Sequence, residues 1–446
     1  MRTLLFFAGA AALAVTAAPA IAQDHTGLHG HDMDDMKQDG PADAEKPVDH
    51  SKMDHSKMQH DMSSMGDTAR ANATGSGTAL LPGNEGGHHG LHLATGDWMV
   101  MLHGFANGVY TKQTGPRGDD KAYVQSMLML SAEHDTDWGK VQFRTMNSLE
   151  PLMSNRGYPS LFATGETAGG APLVDRQHPH DFFMELSARV DVNIGDAASL
   201  FVYGGPVGEP ALGPSVFMHR SSAKLNPEAP ITHHWFDSTH ITYGVVTAGV
   251  TTDTFQLEAS AFRGREPDEE RWGIEKPKLD SWSVRATYNP SPAWAMQVST
   301  GRLKSPEVSH PDEDEQRTTA SVHYANTGGF SAMAAYSKKN IIGGDDSTAL
   351  VAEMNWDITD HHTVFGRFEN VLNRELFPDE ADPRHEDSFR VSKFQAGYAY
   401  RLPLTGPLNL ALGGTVSAFA KPSALNSVYG NRPMGYTLFT RLSIGH

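Results

Sequence analysis

Apolar and polar residues alternate along much of the chain after residue 96. The alternation is clearest at residues 184–194, where one face is apolar and the other polar: Met184, Leu186, Ala188, Val190, Val192 and Ile194 against Glu185, Ser187, Arg189, Asp191 and Asn193. Because side chains of a β-strand point alternately to its two faces, this pattern predicts a strand between an apolar and an aqueous environment. A soluble β-sandwich gives the same local pattern, so one segment does not decide the fold.

The repetition of such segments is more informative. Similar alternation occurs at residues 255–261, 282–288, 294–299, 350–356 and 436–444, with aromatic residues near the segment ends. Tight turns are predicted at His134–Trp138, Gly195–Ala198, Thr251–Asp253, Asn289–Ala293, Asn326–Gly329, Asp357–His362 and Pro403–Pro407. Longer polar loops lie between them, including residues 148–180, 206–238 and 338–347. Short turns at one end and long loops at the other are typical of outer-membrane barrels. We therefore predict an all-β fold, a transmembrane antiparallel up-and-down β-barrel of about sixteen strands over residues 96–446.

The first residues predict export. Arg2 precedes a short apolar run, Leu4 to Val15, and Ala20-Ile21-Ala22 fits a signal-peptidase site, so we expect residues 1–22 to be a signal peptide. No later run of at least about 18 apolar residues suggests a membrane-spanning helix. An even number of strands places both ends of the barrel on the periplasmic side of the bacterial outer membrane.

Residues 23–95 differ sharply from the rest. They are rich in His, Met, Asp, Gly and Ser and contain almost no aromatic or β-branched residues. Such a segment cannot bury enough apolar surface to offset its conformational entropy, so we predict a disordered periplasmic tail.

Composition excludes several classes of function. The net charge of -17 argues against nucleic acid as a partner, and the absence of cysteine excludes thiolate metal sites and disulfides. The chain has no G-x-S-x-G, H-E-x-x-H, phosphate-loop or dinucleotide-binding motif, so we do not expect an enzyme.

The tail carries the most specific motif. Asp49-His50-Ser51-Lys52-Met53 is followed directly by Asp54-His55-Ser56-Lys57-Met58. Further candidate ligands follow: His60, Met62, Met65, His88, His89 and His92. Imidazole suits Cu(II), and the soft thioether of methionine selects Cu(I) over hard cations. We therefore predict a copper-binding tail, with silver as the second choice; the alternative is a compositionally biased linker without a physiological ligand.

This tail resembles that of the copper-resistance B outer-membrane proteins, which join a signal peptide and a Met/His-rich tail with DHSKM-like repeats to a barrel. The resemblance covers residues 23–66 by motif and the rest by architecture. It implies periplasmic copper capture, tolerance or export.

The barrel interior offers further candidate ligands. If Trp98, Val100 and Leu102 face lipid, then Met99, Met101 and His103 face the lumen, beside Met127 and Met129 of the second strand and Met146 of the third. We predict a soft-metal relay along this wall; the alternative is methionine used to fill packing gaps. Two loops concentrate histidine, as His178 and His180 beside Asp181, and as His233 and His234 near Asp237 and His240. These form either a metal site, a hydrogen-bonded constriction or ordinary loop histidines.

Three functions remain open. The first is a barrel for copper binding, tolerance or export, with metal ions, membrane lipid and periplasmic copper-handling proteins as partners. The second is a general or solute-specific porin with an incidental tail. The third is a non-transporting metal sink or scaffold. A barrel of this size can leave an aqueous channel, although the long second and third loops could fold inward and close it.

Overall fold

The computed structural model describes residues 71–86 and 90–445. Its strands, in chain order, are β1 (Asn72–Thr74), β2 (Leu80–Pro82), β3 (Leu91–Thr95), β4 (Trp98–Gln113), β5 (Asp120–Thr136), β6 (Gly139–Asn147), β7 (Tyr158–Pro159), β8 (Thr167–Ala168), β9 (Ala171–Pro172), β10 (Arg176–Gln177), β11 (Phe183–Ile194), β12 (Ala198–Gly208), β13 (Thr242–Thr252), β14 (Phe255–Phe262), β15 (Ser281–Ser291), β16 (Trp294–Leu303), β17 (Glu315–Ala325), β18 (Phe330–Ile341), β19 (Asp346–Asp357), β20 (His362–Asn373), β21 (Phe389–Pro403), β22 (Leu408–Ala420) and β23 (Met434–Ile444). Two short helices, α1 (His233–Phe236) and α2 (Asn426–Tyr429), lie in loops.

Sixteen long strands, β4–β6 and β11–β23, form one closed antiparallel barrel. Each strand pairs with its neighbours in the chain, and β23 closes the barrel on β4 from Gly435 opposite Gln113 to Ile444 opposite Gly104. The remaining part of β4 pairs with the short β3. The predicted fold class and strand number are confirmed.

The surface of the barrel is apolar and its interior is polar. Outward side chains such as Val298 and Leu438 are 58% and 66% exposed, whereas the inward Arg285 and Arg317 are each 0% exposed. Trp294 and Trp356 lie at strand ends, where aromatic residues favour the membrane interface. A water-soluble protein would expose the charges and bury the apolar residues, so this wall belongs in lipid. The protein is therefore a transmembrane β-barrel of the outer-membrane type.

None of the helices in the described ranges is long and apolar enough to cross a membrane.

The connections differ between the two ends of the barrel. All the predicted tight turns lie at one end, here called the short-turn end. Most of the connections at the other, long-loop end are longer, but the predicted loop at 338–347 is wrong. There β18 continues to Ile341 and β19 starts at Asp346, because the polar residues between them are part of a paired hairpin.

Two long loops fold into the lumen: the second loop, residues 148–182, and the third loop, residues 209–241. The third loop is held against the far wall by buried ion pairs. Arg220 Nε lies 2.7 Å from Glu353 Oε1 on β19, and Lys393 Nζ on β21 lies 2.9 Å from Glu228 Oε2. Burial alone would raise the pKa of Glu228, but the Lys393 ammonium holds it at about 2. The loops therefore fill the space that a barrel of this size would otherwise leave open.

A third segment also occupies the lumen. Residues 71–86, the lumenal hairpin, contain the paired strands β1 and β2. At the base, the Asn72 side chain donates to Asp253 O and the Asn84 side chain to Ala325 O, both at the short-turn end. At the tip, Thr78 Oγ1 donates to Glu258, and Gln256 Nε2 donates to Thr78 O at 2.7 Å.

The lumenal hairpin corrects the predicted end of the disordered tail. That boundary was expected at residue 95, but residues 71–86 and the strand β3 are ordered. The segment has few apolar residues of its own. Its polar groups are satisfied by the barrel wall, which the composition of the segment cannot reveal.

Candidate metal centre in the lumen

A cluster of methionines lines one side of the lumen. Met127 and Met129 on β5 and Met146 on β6 are all buried, and Met129 is 0% exposed. Met129 pairs directly with His103 on one side and with Met146 on the other. The cluster, here called the methionine wall, comprises Met101, Met127, Met129, Met146, Met184 and Met218. The predicted alignment of thioethers on β4, β5 and β6 is thus present, although its metal binding stays a prediction.

Two members of the methionine wall were not predicted. The alternation of residues 184–194 predicts Met184 on the lipid-facing side of its strand. A register shift between Phe183 and Glu185 turns both Met184 and Glu185 inward, which is the effect of a β-bulge. Met218 lies in the third loop, where no strand periodicity predicts the direction of a side chain.

The third loop also brings an imidazole to the wall. His219 follows Met218 in a 3₁₀ turn, Phe217–His219, and its Nε2 lies 3.3 Å from the sulfur of Met146. No signal in the sequence singles out His219, because the contact depends on the inward fold of the loop. A thioether and an imidazole therefore stand side by side at the edge of the methionine wall.

The histidines of the second and third loops form one buried cluster. The histidine cluster comprises His178, His180, His233, His234 and His240, all of which are buried. Ring centroids of His233 and His240 are 5.0 Å apart, those of His180 and His240 5.3 Å, and those of His178 and His234 5.7 Å. The structure thus brings together all five loop histidines that the sequence singled out from two distant segments.

Each histidine in the cluster is oriented through its Nδ1. That atom lies 2.9 Å from Glu150 in His180, 2.8 Å from Asp237 in His233 and 3.2 Å from Glu266 in His234. In His240 and His178 it lies 2.7 Å from Asp237 O and 3.1 Å from Pro179 O. Carboxylate and carbonyl oxygens only accept, so each Nδ1 carries a proton, and a ring that is neutral keeps its lone pair on Nε2. Metal-ligating histidines are typically held in this way. Burial disfavours the charged form of His180, but the carboxylate of Glu150 outweighs it and raises the pKa of His180, so this ring must lose its Nε2 proton to bind a metal.

Three of these Nε2 atoms are buried without a hydrogen bond. Within the described part of the chain they are those of His178, His180 and His240. Nε2 of His178 also lies 3.2 Å from Glu166 Oε1. A small cavity of about 20 Å³ lies beside His180 and is lined also by Met218 and Phe217. Such a volume holds about one water-sized group, so imidazole and thioether donors from the two clusters face the same ion-sized space.

The pKa values of the clustered histidines differ, because their electrostatic surroundings differ. Burial lowers the pKa of His178, His233 and His240, which are therefore neutral and able to donate a lone pair to a metal. Burial also acts on His234, but the carboxylate of Glu266 outweighs it and raises the pKa of His234 to about 9. His234 is thus a cation paired with Glu266. The neighbouring Arg271 is paired with Asp181 at 3.1 Å.

No protein-family model matches this chain.

A search of curated proteins also gives no match. Among solved structures, the chain is similar to Salmonella typhi OmpF in complex with daunomycin, with 10% identity and a TM-score of 0.48 over 79% of this chain and 100% of that one. It is similar to an anion-selective porin from Comamonas acidovorans, with 13% identity and a TM-score of 0.48 over 78% and 99%. The channel DcaP of Acinetobacter baumannii gives 12% identity and a TM-score of 0.46 over 80% and 99%.

The remaining predicted ligands lie apart from this centre or outside the described residues. His92 on β3 is exposed and pairs with Met101, and Met99 is 40% exposed near the short-turn end. Met99 is therefore not packed in the methionine wall, and its metal binding stays a prediction. Several tail ligands fall outside the described residues: His50, Met53, His55, Met58, His60, Met62, Met65, His88 and His89.

The donor set suits a soft or borderline ion. Imidazole nitrogen and thioether sulfur together fit copper, with Cu(I) favoured by sulfur. Among the described residues, no three His, Asp or Glu side chains of the lumenal centre have ligand atoms within 4.8 Å of one another. An ion bound here would therefore need a thioether beside the imidazoles or a low coordination number.

Proposed function

We propose that this protein is a solute-specific outer-membrane barrel whose solute is copper, gathered by the Met/His tail and bound in the lumen. The observation that carries the proposal is the pair of buried Nε2 atoms of His180 and His240 without a hydrogen bond, with His180 lining the same small cavity as the thioether of Met218. A buried nitrogen without a hydrogen-bond partner is costly, and a metal ion would satisfy it.

The contact between the two clusters supports a continuous path. Phe217 packs near the His180 ring, at a centroid distance of 6.3 Å, and the same turn carries Met218 and His219 to the methionine wall. An ion held by His180 therefore has one thioether donor, that of Met218, in the same small cavity. In this proposal copper passes between imidazole and thioether positions.

The lumenal hairpin supports a periplasmic tail. Its base contacts Asp253 and Ala325 at the short-turn end, which faces the periplasm in outer-membrane barrels. The paired His and Met residues of the DHSKM repeats would then capture copper in the periplasm, where periplasmic copper-handling proteins are the partners we propose.

A porin is the second candidate function. The closed barrel of sixteen strands favours it at least as directly, since barrels of this size can enclose an aqueous channel. In that case the tail would be incidental, and the second and third loops would only narrow the channel.

Conductance and copper tolerance, measured on the same variants, test these proposals. The full-length chain, a chain lacking residues 23–70 and the variant His180→Ala/His240→Ala are each expressed in the outer membrane and reconstituted in planar bilayers. If the protein handles copper, the deletion of residues 23–70 and the double histidine substitution should each reduce copper tolerance and remove copper-dependent current. A porin predicts that copper tolerance and conductance stay as in the full-length chain after tail deletion. Copper binding without any current would instead indicate a metal sink.

A further inference from the structure

A second group of metal-ligating side chains lies at the long-loop end, outside the lumenal centre. It joins the β16–β17 connection, residues 304–314, to the β20–β21 connection, residues 374–388. Glu307 and His310 come from the first and Glu375 from the second, and one ligand atom of each lies within 4.8 Å of the others. This is the only such group of His, Asp and Glu among the described residues.

Glu307 has an oxygen that the protein leaves unused. Its side chain is buried, with a relative exposure of 5%. Oε1 accepts a hydrogen bond from Lys339 Nζ at 2.9 Å, but Oε2 has no hydrogen-bond partner within residues 71–86 and 90–445. A buried carboxylate oxygen without a donor carries a desolvation cost that a bound cation would remove.

The backbone that carries the three side chains is held in place by contacts that do not involve an ion. The backbone N–H of His310 donates to Glu307 O at 3.2 Å, which keeps these two residues in one turn. The backbone N–H of Glu375 donates to Asn373 Oδ1 at 2.9 Å. Arg374 pairs with Glu313 across the two connections. The ligand set is therefore prepared by the fold, which lowers the conformational cost of binding.

The charged side chains around Glu307 and Glu375 are also compatible with a bound cation. Lys339 lies 2.9 Å from Glu307 and 3.5 Å from Glu315, and Glu315 is also paired with Arg317 at 2.6 Å. Within the described residues Glu375 makes no ion pair. The group thus contains one carboxylate, that of Glu375, that is not paired with a cation.

We propose that Glu307, His310 and Glu375 bind a divalent cation of the zinc class at the long-loop end of the barrel. Zinc accepts carboxylate oxygen and imidazole nitrogen, and three protein ligands leave one position for water. The set contains no thioether, so it lacks the soft donor that selects Cu(I) in the lumen. The bound ion would join two external connections that otherwise meet through Arg374 and Glu313.

Equilibrium dialysis of the full chain in detergent micelles against Zn²⁺ tests this site. Glu375→Gln and His310→Ala should each bind one Zn²⁺ fewer per chain than the wild type at concentrations that saturate the tight sites. Glu380→Gln and His385→Ala, on the same connection as Glu375, are matched controls and should bind the wild-type number. Equal numbers in all five proteins would overturn the proposal.

Two further measurements keep the result interpretable. His180→Ala/His240→Ala should retain the zinc equivalent that Glu375→Gln loses, which separates this site from the proposed lumenal centre. In limited proteolysis, Zn²⁺ should slow cleavage of residues 374–388 at least tenfold in the wild type but not in His310→Ala. Cleavage that Zn²⁺ does not slow in the wild type would contradict the proposal even if a variant failed to fold.

Discussion

The Nε2 of His219 lies 3.3 Å from the sulfur of Met146, a residue 73 positions earlier in the chain. Met146 belongs to the barrel wall, whereas His219 belongs to the third loop. The contact therefore makes the inward loop and the wall parts of one donor surface. A soft-metal centre in this barrel depends on both, which is why the proposed function ties copper binding to a filled lumen.

Removal of the thioethers should weaken lumenal Cu(I) binding with little loss of stability. Met127→Leu/Met129→Leu/Met146→Leu keeps the buried volume, and such exchanges usually cost less than about 1.5 kcal/mol each. We expect Cu(I) affinity of the lumenal sites to fall at least about tenfold, or about 1.4 kcal/mol, in competition against a chromogenic chelator. Met296→Leu, on the lipid-facing side, is the control. Unchanged affinity in the triple variant would leave methionine as a packing residue only.

Loss of Glu353 should release the third loop. Glu353 pairs with Arg220 at 2.7 Å and with Arg367 at 2.9 Å, and all three side chains are buried. Glu353→Ala leaves the buried Arg367 without its carboxylate and Arg220 with Asp237 alone, and breaking a buried pair in this way typically costs about 3–5 kcal/mol. We expect higher single-channel conductance and faster protease cleavage within residues 209–241. Arg302→Ala removes an exposed ion pair and should change neither quantity. Wild-type conductance in Glu353→Ala would show that the loop is held by other contacts.

Gly77 at the tip of the lumenal hairpin should resist substitution. Its φ is +53°, and a Cβ there would lie 2.9 Å from the Cβ of Glu209. Gly96 has a similar φ of +58° but no atom within 4 Å of a Cβ. In both alanine variants the positive φ destabilises the folded state by about 1–2 kcal/mol. Only Gly77→Ala also introduces a steric clash. Hydrogen exchange of residues 72–82 should therefore accelerate in Gly77→Ala and stay near wild type in Gly96→Ala.

Acidification should tighten the packing between the lumenal hairpin and the third loop. Burial raises the pKa of Glu85 to about 7 and that of Glu209 to about 8, although Ser221 and Arg285 respectively oppose the shift. For carboxyl groups with raised pKa, the packed state favours the neutral form. The stabilisation is complete near the ordinary pKa of 4.5 and is lost as the pH rises through 7 to 8.

Hydrogen exchange corrected for its intrinsic pH dependence measures this effect. Protection of residues 72–86 should increase from pH 8 to pH 5, by up to about 1.4 kcal/mol per group for each pH unit. Glu209→Gln should reduce the pH dependence, because the amide stays neutral. Protection that falls on acidification would show that these carboxylates are ionised in the folded protein.

The wall of the barrel was predictable because its signal is local. Lipid on one side and a polar lumen on the other impose a period of two on each strand. The residues next to Leu257 and Glu258 in the sequence are therefore enough to predict that Leu257 faces lipid and Glu258 faces the lumen. The turns are equally local, since they consist of Gly, Pro, Asn and Asp between alternating segments. Where the strand is irregular, as at the bulge beside Met184, the alternation gives the wrong face.

The lumen was less predictable because its contacts join distant residues. The sequence singled out His178, His180, His233, His234 and His240, but not that they meet. It gave no reason to select His219 or Met218, whose directions depend on the path of the third loop. The lumenal hairpin illustrates the same limit: Thr78 is ordered by Glu258, 180 positions away. Composition describes what a segment can bury by itself and not what another segment supplies.

The seam of the barrel has a consequence for assembly. β4 pairs with β23 along Gly104 to Gln113 and with β3 along Trp98 to Leu102, so one column of the wall is made from both ends of the described chain. Closing such a seam is a long-range event with a large entropic barrier. Without β3, the backbone of Trp98 to Leu102 would have an unpaired edge. Since β3 follows the lumenal hairpin in the chain, we expect Trp98 to Leu102 to pair with β3 only when the hairpin docks in the lumen.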